Sequence, residues 1–242
     1  MTKRKRSTGL GSSKIVDSTA GGLSLQTLYK DARMLVVNKP SGMLVHRGWG
    51  QDPITAADIV RDEIIGAPVH AIHRLDRGTS GILVFALDAD AARFLQEQLL
   101  SEQSSKRYIA LVRGPMPEGC VLDHPVPQRD KAERVPAVTE FIPLAHKDRW
   151  TLVEARPQTG RLHQIRRHLK HLSHPVVGDV LYGKGDINRF FRQNYGLHRL
   201  ALHAFQFAIK HPDGSSLTVQ APIPPDLSEP LERLGMDPSA IS

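Results

Sequence analysis

The sequence predicts a mixed α+β fold, and three observations carry that expectation. Short apolar strands and amphipathic helical stretches alternate irregularly, no glycine-rich nucleotide fingerprint opens a helix, and no internal repeat is present. A regular strand–helix alternation would instead favour a doubly wound sheet. At 242 residues the chain can hold one large domain or two small ones, with a core of ordinary size. The patterning divides it into a basic, disordered tail over residues 1–24, one folded domain over 25–221, and a loosely packed, proline-rich tail over 222–242.

Each element has its own signal. Met34 to Lys39 reads as a short strand that Pro40-Ser41-Gly42 breaks, and Met43 to His46 as a second strand. Thr55 caps a helix with Ala56, Ile59, Val60 and Ile64 on one face. The apolar run Ile82–Ala86 reads as a buried strand. Asp88 then caps a helix through Leu100, whose Ala91, Phe94, Leu95 and Leu99 are core positions. Lys106 to Arg113 alternates as a strand, with Tyr108, Ala110 and Val112 on one face. Residues 114–136 form a loop or weak hairpin, and Val138–Ile142 and Thr151–Ala155 are further strands, with Trp150 as packing between them. Leu162 to Leu172 is a helix with a buried stripe of Leu162, Ile165, Leu169 and Leu172, which leaves His163, Arg166, Arg167 and Lys170 on a basic side. The segment Gly178–Gly196 is polar and glycine-punctuated, and Leu200–Ile209 returns to strand character.

Charge narrows the function classes. The 32 Lys and Arg against 25 Asp and Glu leave a surplus of +7, with an isoelectric point near 9.7, which favours a polyanionic partner. Aromatics make up only 5% of the chain, so base stacking must rest on a few particular rings. Cys120 is the single cysteine, which excludes internal disulfides and fits a reducing, cytoplasmic compartment. No stretch has transmembrane length, so no membrane partner is expected, and nothing marks a self-association surface, so a monomer is. His163, His168, His171 and His174 match no standard zinc spacing and lack a carboxylate within the stretch, so no metal site is expected.

The segment His73-Arg74-Leu75-Asp76-Arg77-Gly78-Thr79-Ser80-Gly81 concentrates the chemistry. It sets a carboxylate between two arginines on a turn leading into an apolar strand, where both cations favour the charged form. Such a cluster alone is more often a surface ion-pair network than an active site. The basic stretch Thr159 to His168 gives it a catalytic context, with a helix N-terminus near Gly160-Arg161 that favours anions.

Taken together, Leu35 to Gly42, HRLDRGTSG at 73–81, KRYIALVRG at 106–114, TGRLHQIRRHL at 159–169, HPVVGD at 174–179 and RLALHA at 199–204 resemble, in order, an RNA pseudouridine synthase of the group typified by ribosomal large-subunit pseudouridine synthase A. The resemblance spans roughly residues 25 to 215. It implies a mainly antiparallel sheet with flanking helices and a central cleft. It also implies a reaction that breaks the uridine N1–C1′ bond, turns the base and rejoins it through C5, with no cofactor. By that resemblance Asp76 is the essential aspartate, Tyr108 the active-site tyrosine, Arg166 the cation paired with the aspartate, and Arg74 the filler of the gap left by a flipped base. The expected RNA contacts are His73, Arg74, Arg77, Thr79, Arg161, His163, Gln164, Arg167 and Lys170.

The residue chemistry agrees, since a flipped pyrimidine needs one π face and a fixed anion, whether the anion attacks C1′, attacks C6 or removes a sugar proton. Gly183 to Arg192 looks like an insertion carried by a tRNA-modifying branch of the family. tRNA is therefore the favoured partner and rRNA the alternative; a non-catalytic RNA-binding protein is the competing class.

Overall fold

The computed structural model describes residues 18–20, 23–47, 54–101, 103–128, 133–238 and 241. In its first half lie β1 (Ser18–Ala20), β2 (Leu23–Lys30), β3 (Met34–Lys39), β4 (His70–Ala71), β5 (Ser80–Ala86) and β6 (Ser105–Arg113). Then come β7 (Cys120–Asp123), β8 (Val126–Pro127), β9 (Arg134–Val135), β10 (Val138–Lys147), β11 (Trp150–Pro157), β12 (Leu202–Lys210) and β13 (Ser216–Gln220). The helices are α1 (Ala56–Ile59), which runs into a π-helical turn over Val60–Ile65, then α2 (Ala89–Leu100), α3 (Gln164–His171), α4 (Gly185–Tyr195) and α5 (Pro225–Arg233).

Among the described residues eleven strands make one sheet, with the order β1-β2-β3-β5-β12-β6-β11-β10-β7, β4 beside β5 and β13 beside β12. Every pairing in it is antiparallel except β5 with β12. The expected mixed α+β architecture is therefore present, with helices on the sheet faces.

Alternation explains the layering. In β3, Leu35 and Val37 face a core completed by Ile59 and Val60, while Met34 and Val36 face a second core with Ala91 and Leu95 of α2. β5 splits likewise, with Leu83 and Phe85 on one side and Ile82, Val84 and Ala86 on the other, so it is buried throughout. A third core joins β6, β10 and β11 to Ile165 and Leu169 of α3 and Phe191 of α4; Trp150 lies within it, 3% exposed. Tyr108 touches the first and third of these cores, so it stands where the two halves of the sheet meet.

The caps follow the sequence. Thr55 and Asp58 form a reciprocal capping box, and the Asp88 carboxylate accepts from Ala91 N at 2.8 Å. At the parallel β5–β12 pairing, Gly81 has φ +110°, and a Cβ there would lie 2.2 Å from the Ala204 carbonyl oxygen. Gly81→Ala should therefore cost about 2–4 kcal/mol in urea unfolding, through strain and overpacking. An unchanged midpoint would contradict this close approach.

Several expectations need correction. Residues 1–17 of the N-terminal tail lie outside the described residues, but Ser18–Ala20 and Leu23–Lys30 are paired strands rather than tail. Met43–His46 is not a strand; its Leu44 and Val45 carbonyls accept from Ala56 N and Ala57 N instead. The segment after Gly178 contains helix α4, and part of 114–136 joins the sheet as β7.

The stretch after Pro222 is not loosely packed. Leu227, Leu231, Leu234 and Met236 are buried in the same core as β6 and β11. Proline at the first turn suits a helix start, and the apolar burial outweighs the interior Pro230. Among the described residues no helix is long and apolar enough to cross a membrane.

Candidate active site

Asp76 sits on the turn before β5, where Thr79 N donates to the Asp76 carbonyl at 3.0 Å. The Pro40–Met43 loop straps this turn from behind. Lys39 Nζ donates to the Met43 and Pro40 carbonyls at 2.8 and 2.9 Å, Gly42 N donates to the Arg77 carbonyl at 2.8 Å, and Ser41 Oγ to the Gly78 carbonyl at 2.8 Å. Lys39 is fully buried, and burial, with the nearby Arg199 charge, pushes its ammonium down to about 7 against the opposing pull of Asp76.

The cations flanking Asp76 in sequence are not those that hold it. Arg77 Nε instead donates to the Gly42 carbonyl at 2.9 Å, and Arg74 is exposed. The partner is Arg166, whose Nη1 donates to Asp76 Oδ2 at 2.8 Å. Arg166 does not lie on a solvated helix side as its periodicity suggests. It is 6% exposed, because Asp179 grips the rest of the guanidinium, accepting from Nε at 2.7 Å and Nη2 at 2.9 Å.

Burial alone would raise the Asp179 carboxyl; Arg166 and the Tyr182 and Leu181 amides outweigh it and hold it below the ordinary carboxylate range. Burial would likewise lower the Arg166 guanidinium, but Asp179 and Asp76 push it up. Two carboxylates thus share one guanidinium. Asp76 is fixed in place while the trio keeps a net negative charge to present to substrate.

The cleft in front of Asp76 measures about 650 Å³, within the range of small-ligand sites. It is lined by Arg74, Asp76, Lys106, Tyr108, Arg161, His163 and Arg166, among others. Asp76, Tyr108 and Arg166 therefore converge, although 32 and 58 residues separate them in order. The sheet does this: β6 carries Tyr108 beside β12, β12 lies beside β5, and α3 brings Arg166 across. Burial, and then the Asp76 carboxylate, push the Tyr108 phenol up, so it stays a neutral ring and donor.

The expected RNA contacts divide. Arg74, Arg161 and His163 line the cleft with accessible polar atoms. Gln164 is a scaffold residue, 4% exposed; it accepts from Thr159 Oγ1 and Arg161 N and donates to the Val138 carbonyl and Thr139 Oγ1. Thr79 is 2% exposed in the cleft wall. His73 is also wall: its Nε2 accepts from Val84 N at 3.3 Å and its ring meets Phe207 edge-on, while burial, aided by Lys106, pushes it down to about 3.

Arg167 and Lys170 do not line this cleft. They line a neighbouring basic recess with His124, Arg134 and His171, and Arg167 already donates to the Pro127 and Leu162 carbonyls and the Tyr182 hydroxyl. The histidines of the α3 region go to separate partners: His168 to Thr139 and the His124 carbonyl, His171 onto the His124 ring, His174 to the Arg113 carbonyl.

Sequence reasoning missed Asp179, Tyr182, Lys39 and Lys106 as site residues. Their segments stand in the matching motifs or beside them, but no periodicity or charge spacing marks the residues singly.

The cleft thus brings a held carboxylate, a phenol and a cationic rim together on a mixed sheet, and the positive rim suits a polyanionic ligand. Comparison with known proteins agrees. Residues 33–171 match the RNA pseudouridylate synthase family. The chain is 40% identical over 211 residues to the tRNA pseudouridine synthase C of Vibrio cholerae serotype O1, covering 78% of this chain and 86% of that protein. It is 39% identical over 222 residues to the protein of the same name from Pectobacterium carotovorum subsp. carotovorum, covering 81% of this chain but only 58% of that longer protein. The solved structure of human RNA pseudouridylate synthase domain containing 4 superposes with a TM-score of 0.72 at 29% identity, covering 86% of this chain and 92% of the other. The chain belongs to the RNA pseudouridine synthase family and is an isomerase of uridine in RNA.

Proposed function

We propose that the protein converts a uridine of tRNA to pseudouridine, with Asp76 as the reacting carboxylate. The observation that carries this reading is the Asp179–Arg166–Asp76 bridge, which holds one anion in a cleft shared with Tyr108. Extruding a uridine costs a few kcal/mol, which the cleft walls and the Tyr108 ring offset. The Asp76 carboxylate then serves the breaking of the N1–C1′ bond. The base turns, C5 bonds to C1′, and the C5 hydrogen leaves as a proton. Arg74 is exposed and lines the cleft, which supports the role the resemblance gives it of filling the vacated stack.

Support for tRNA comes from the relatives named above. Incubation with unmodified tRNA and rRNA transcripts, followed by carbodiimide mapping and primer extension, tests it. A stop in tRNA is expected, and stops confined to rRNA would overturn the tRNA assignment.

Phosphates are held at the rim. Arg161 is exposed there, with only its Nε donating to the Pro136 carbonyl. Arg161→Ala should weaken binding of all tRNA sequences alike and reduce the salt slope by about one contact. An unaltered slope removes Arg161 from the phosphate contacts.

A further inference from the structure

The reacting carboxylate has two oxygens, and Arg166 accounts for only one. Facing Asp76 Oδ1 is His163 Nε2 at 3.6 Å, too long for a hydrogen bond but close enough for the proton state of that nitrogen to matter. On the far side of the ring, His163 Nδ1 lies 3.0 Å from the Tyr182 hydroxyl, and that hydroxyl accepts from Arg167 Nε at 2.9 Å. A guanidinium can only donate, so the Tyr182 oxygen is the acceptor in that bond. Among the described residues the phenol hydrogen has no other acceptor than His163 Nδ1. A neutral imidazole that accepts at Nδ1 carries its proton on Nε2.

Resting on the reading of Asp76 given above, we infer that His163 is a positioning residue whose tautomer is set by Tyr182, so that an N–H donor faces Asp76 Oδ1. Arg166 then holds one oxygen by a hydrogen bond, and the His163 N–H faces the other across 3.6 Å and biases the carboxylate's orientation electrostatically. The backbone at His163 supports the role. It has φ +53°, unusual for a non-glycine residue, and Gln164 braces the preceding Thr159 and Arg161. Tyr182 reaches further still: its ring lies 5.1 Å from the Arg166 guanidinium carbon, and its backbone N–H donates to Asp179. It touches both Arg166 and Asp179, the two residues behind Asp76 in the bridge.

The charged groups around His163 are Asp76 and Asp179, which favour its protonation, and Arg166 and Arg167, which oppose it; burial is the largest influence and keeps the ring neutral.

Two measurements test the assignment. Imidazole ¹⁵N NMR of histidine-labelled protein, with the His163 signals identified through His163→Gln, should show the proton on Nε2; a proton on Nδ1 overturns the proposal. This readout needs no activity, so it stands apart from the proposed tRNA reaction, which fails if wild-type protein makes no pseudouridine.

Tyr182→Phe keeps the ring beside both arginines and removes only the hydroxyl. We expect kcat on tRNA to fall about tenfold with Kd unchanged, and the loss to be recovered as pH falls and His163 becomes doubly protonated, since both nitrogens then donate. Wild-type kcat should show no such gain on acidification. A Tyr182→Phe enzyme with wild-type kcat, or a deficit that acid does not recover, would overturn it.

Discussion

Asp76→Asn should make no detectable pseudouridine while binding tRNA almost as tightly as the unaltered protein. An amide has nearly the shape of the carboxylate, and its oxygen can still accept from Arg166 Nη1, now 2.8 Å from Asp76 Oδ2. Asp76 has 18% of its side chain exposed, so the substitution buries no new group and the fold should hold. What disappears is the anion, and loss of a reacting group in other enzymes costs a factor of about a thousand or more. Carbodiimide mapping measures the product and filter binding the affinity. Retained turnover would remove Asp76 from the chemistry, while lost binding would recast it as an RNA contact.

The second large effect falls on a residue that touches no substrate. Asp179→Ala should destabilise the protein by about 3–5 kcal/mol, the range for breaking a buried ion pair from one side. Arg166 is 6% exposed and Asp179 buried, so the guanidinium cannot turn to water when its partner goes. Activity should drop as well, because of the Arg166 side-chain hydrogen bonds among the described residues only that from Nη1 to Asp76 would remain.

The acid dependence has a definite sign. The folded carboxyl of Asp179 titrates below its ordinary 3.8, so its contribution is fully present above that value and is lost as pH falls through the lowered one. Urea unfolding at neutral pH and at about pH 3 should show a smaller acid loss in Asp179→Ala than in the unaltered protein. An equal loss would deny Asp179 its part in acid stability.

Much of the site was legible because its chemistry sits in three compact motifs. Asp76, Tyr108 and Arg166 each stand in a segment whose residue types are unusual together, and the ordered set implied the family. Arg166 was read as solvent-facing because helical periodicity counts an arginine as polar. Its burial depends on Asp179, thirteen residues on and beyond the helix, which no period reports. The resemblance, rather than any spacing, names Arg166 as the cation paired with Asp76, and Arg166 Nη1 of α3 donates to Asp76 Oδ2 at 2.8 Å.

Tyr182 is hidden in a polar, glycine-punctuated stretch, where its value lies in the four residues it touches, His163, Arg166, Arg167 and Asp179, rather than in any pattern. The C-terminal helix was missed because prolines at 222, 224, 225 and 230 read as breakers, although Leu227, Leu231 and Leu234 already carried helical spacing. Gln164 and Thr79, expected as RNA contacts from their place in motifs, stand in the cleft wall and are nearly fully buried.

Isomerisation requires the Asp76 carboxylate, and the hydrogen at C5 of the uridine reports whether it has run. Joining C5 to C1′ expels that hydrogen, so tRNA transcribed with [5-³H]uridine releases tritium only when the isomerisation is complete. The unaltered protein should release the tritium of a single uridine position, and Asp76→Asn none. Tritium released by Asp76→Asn at the unaltered rate would contradict the account outright.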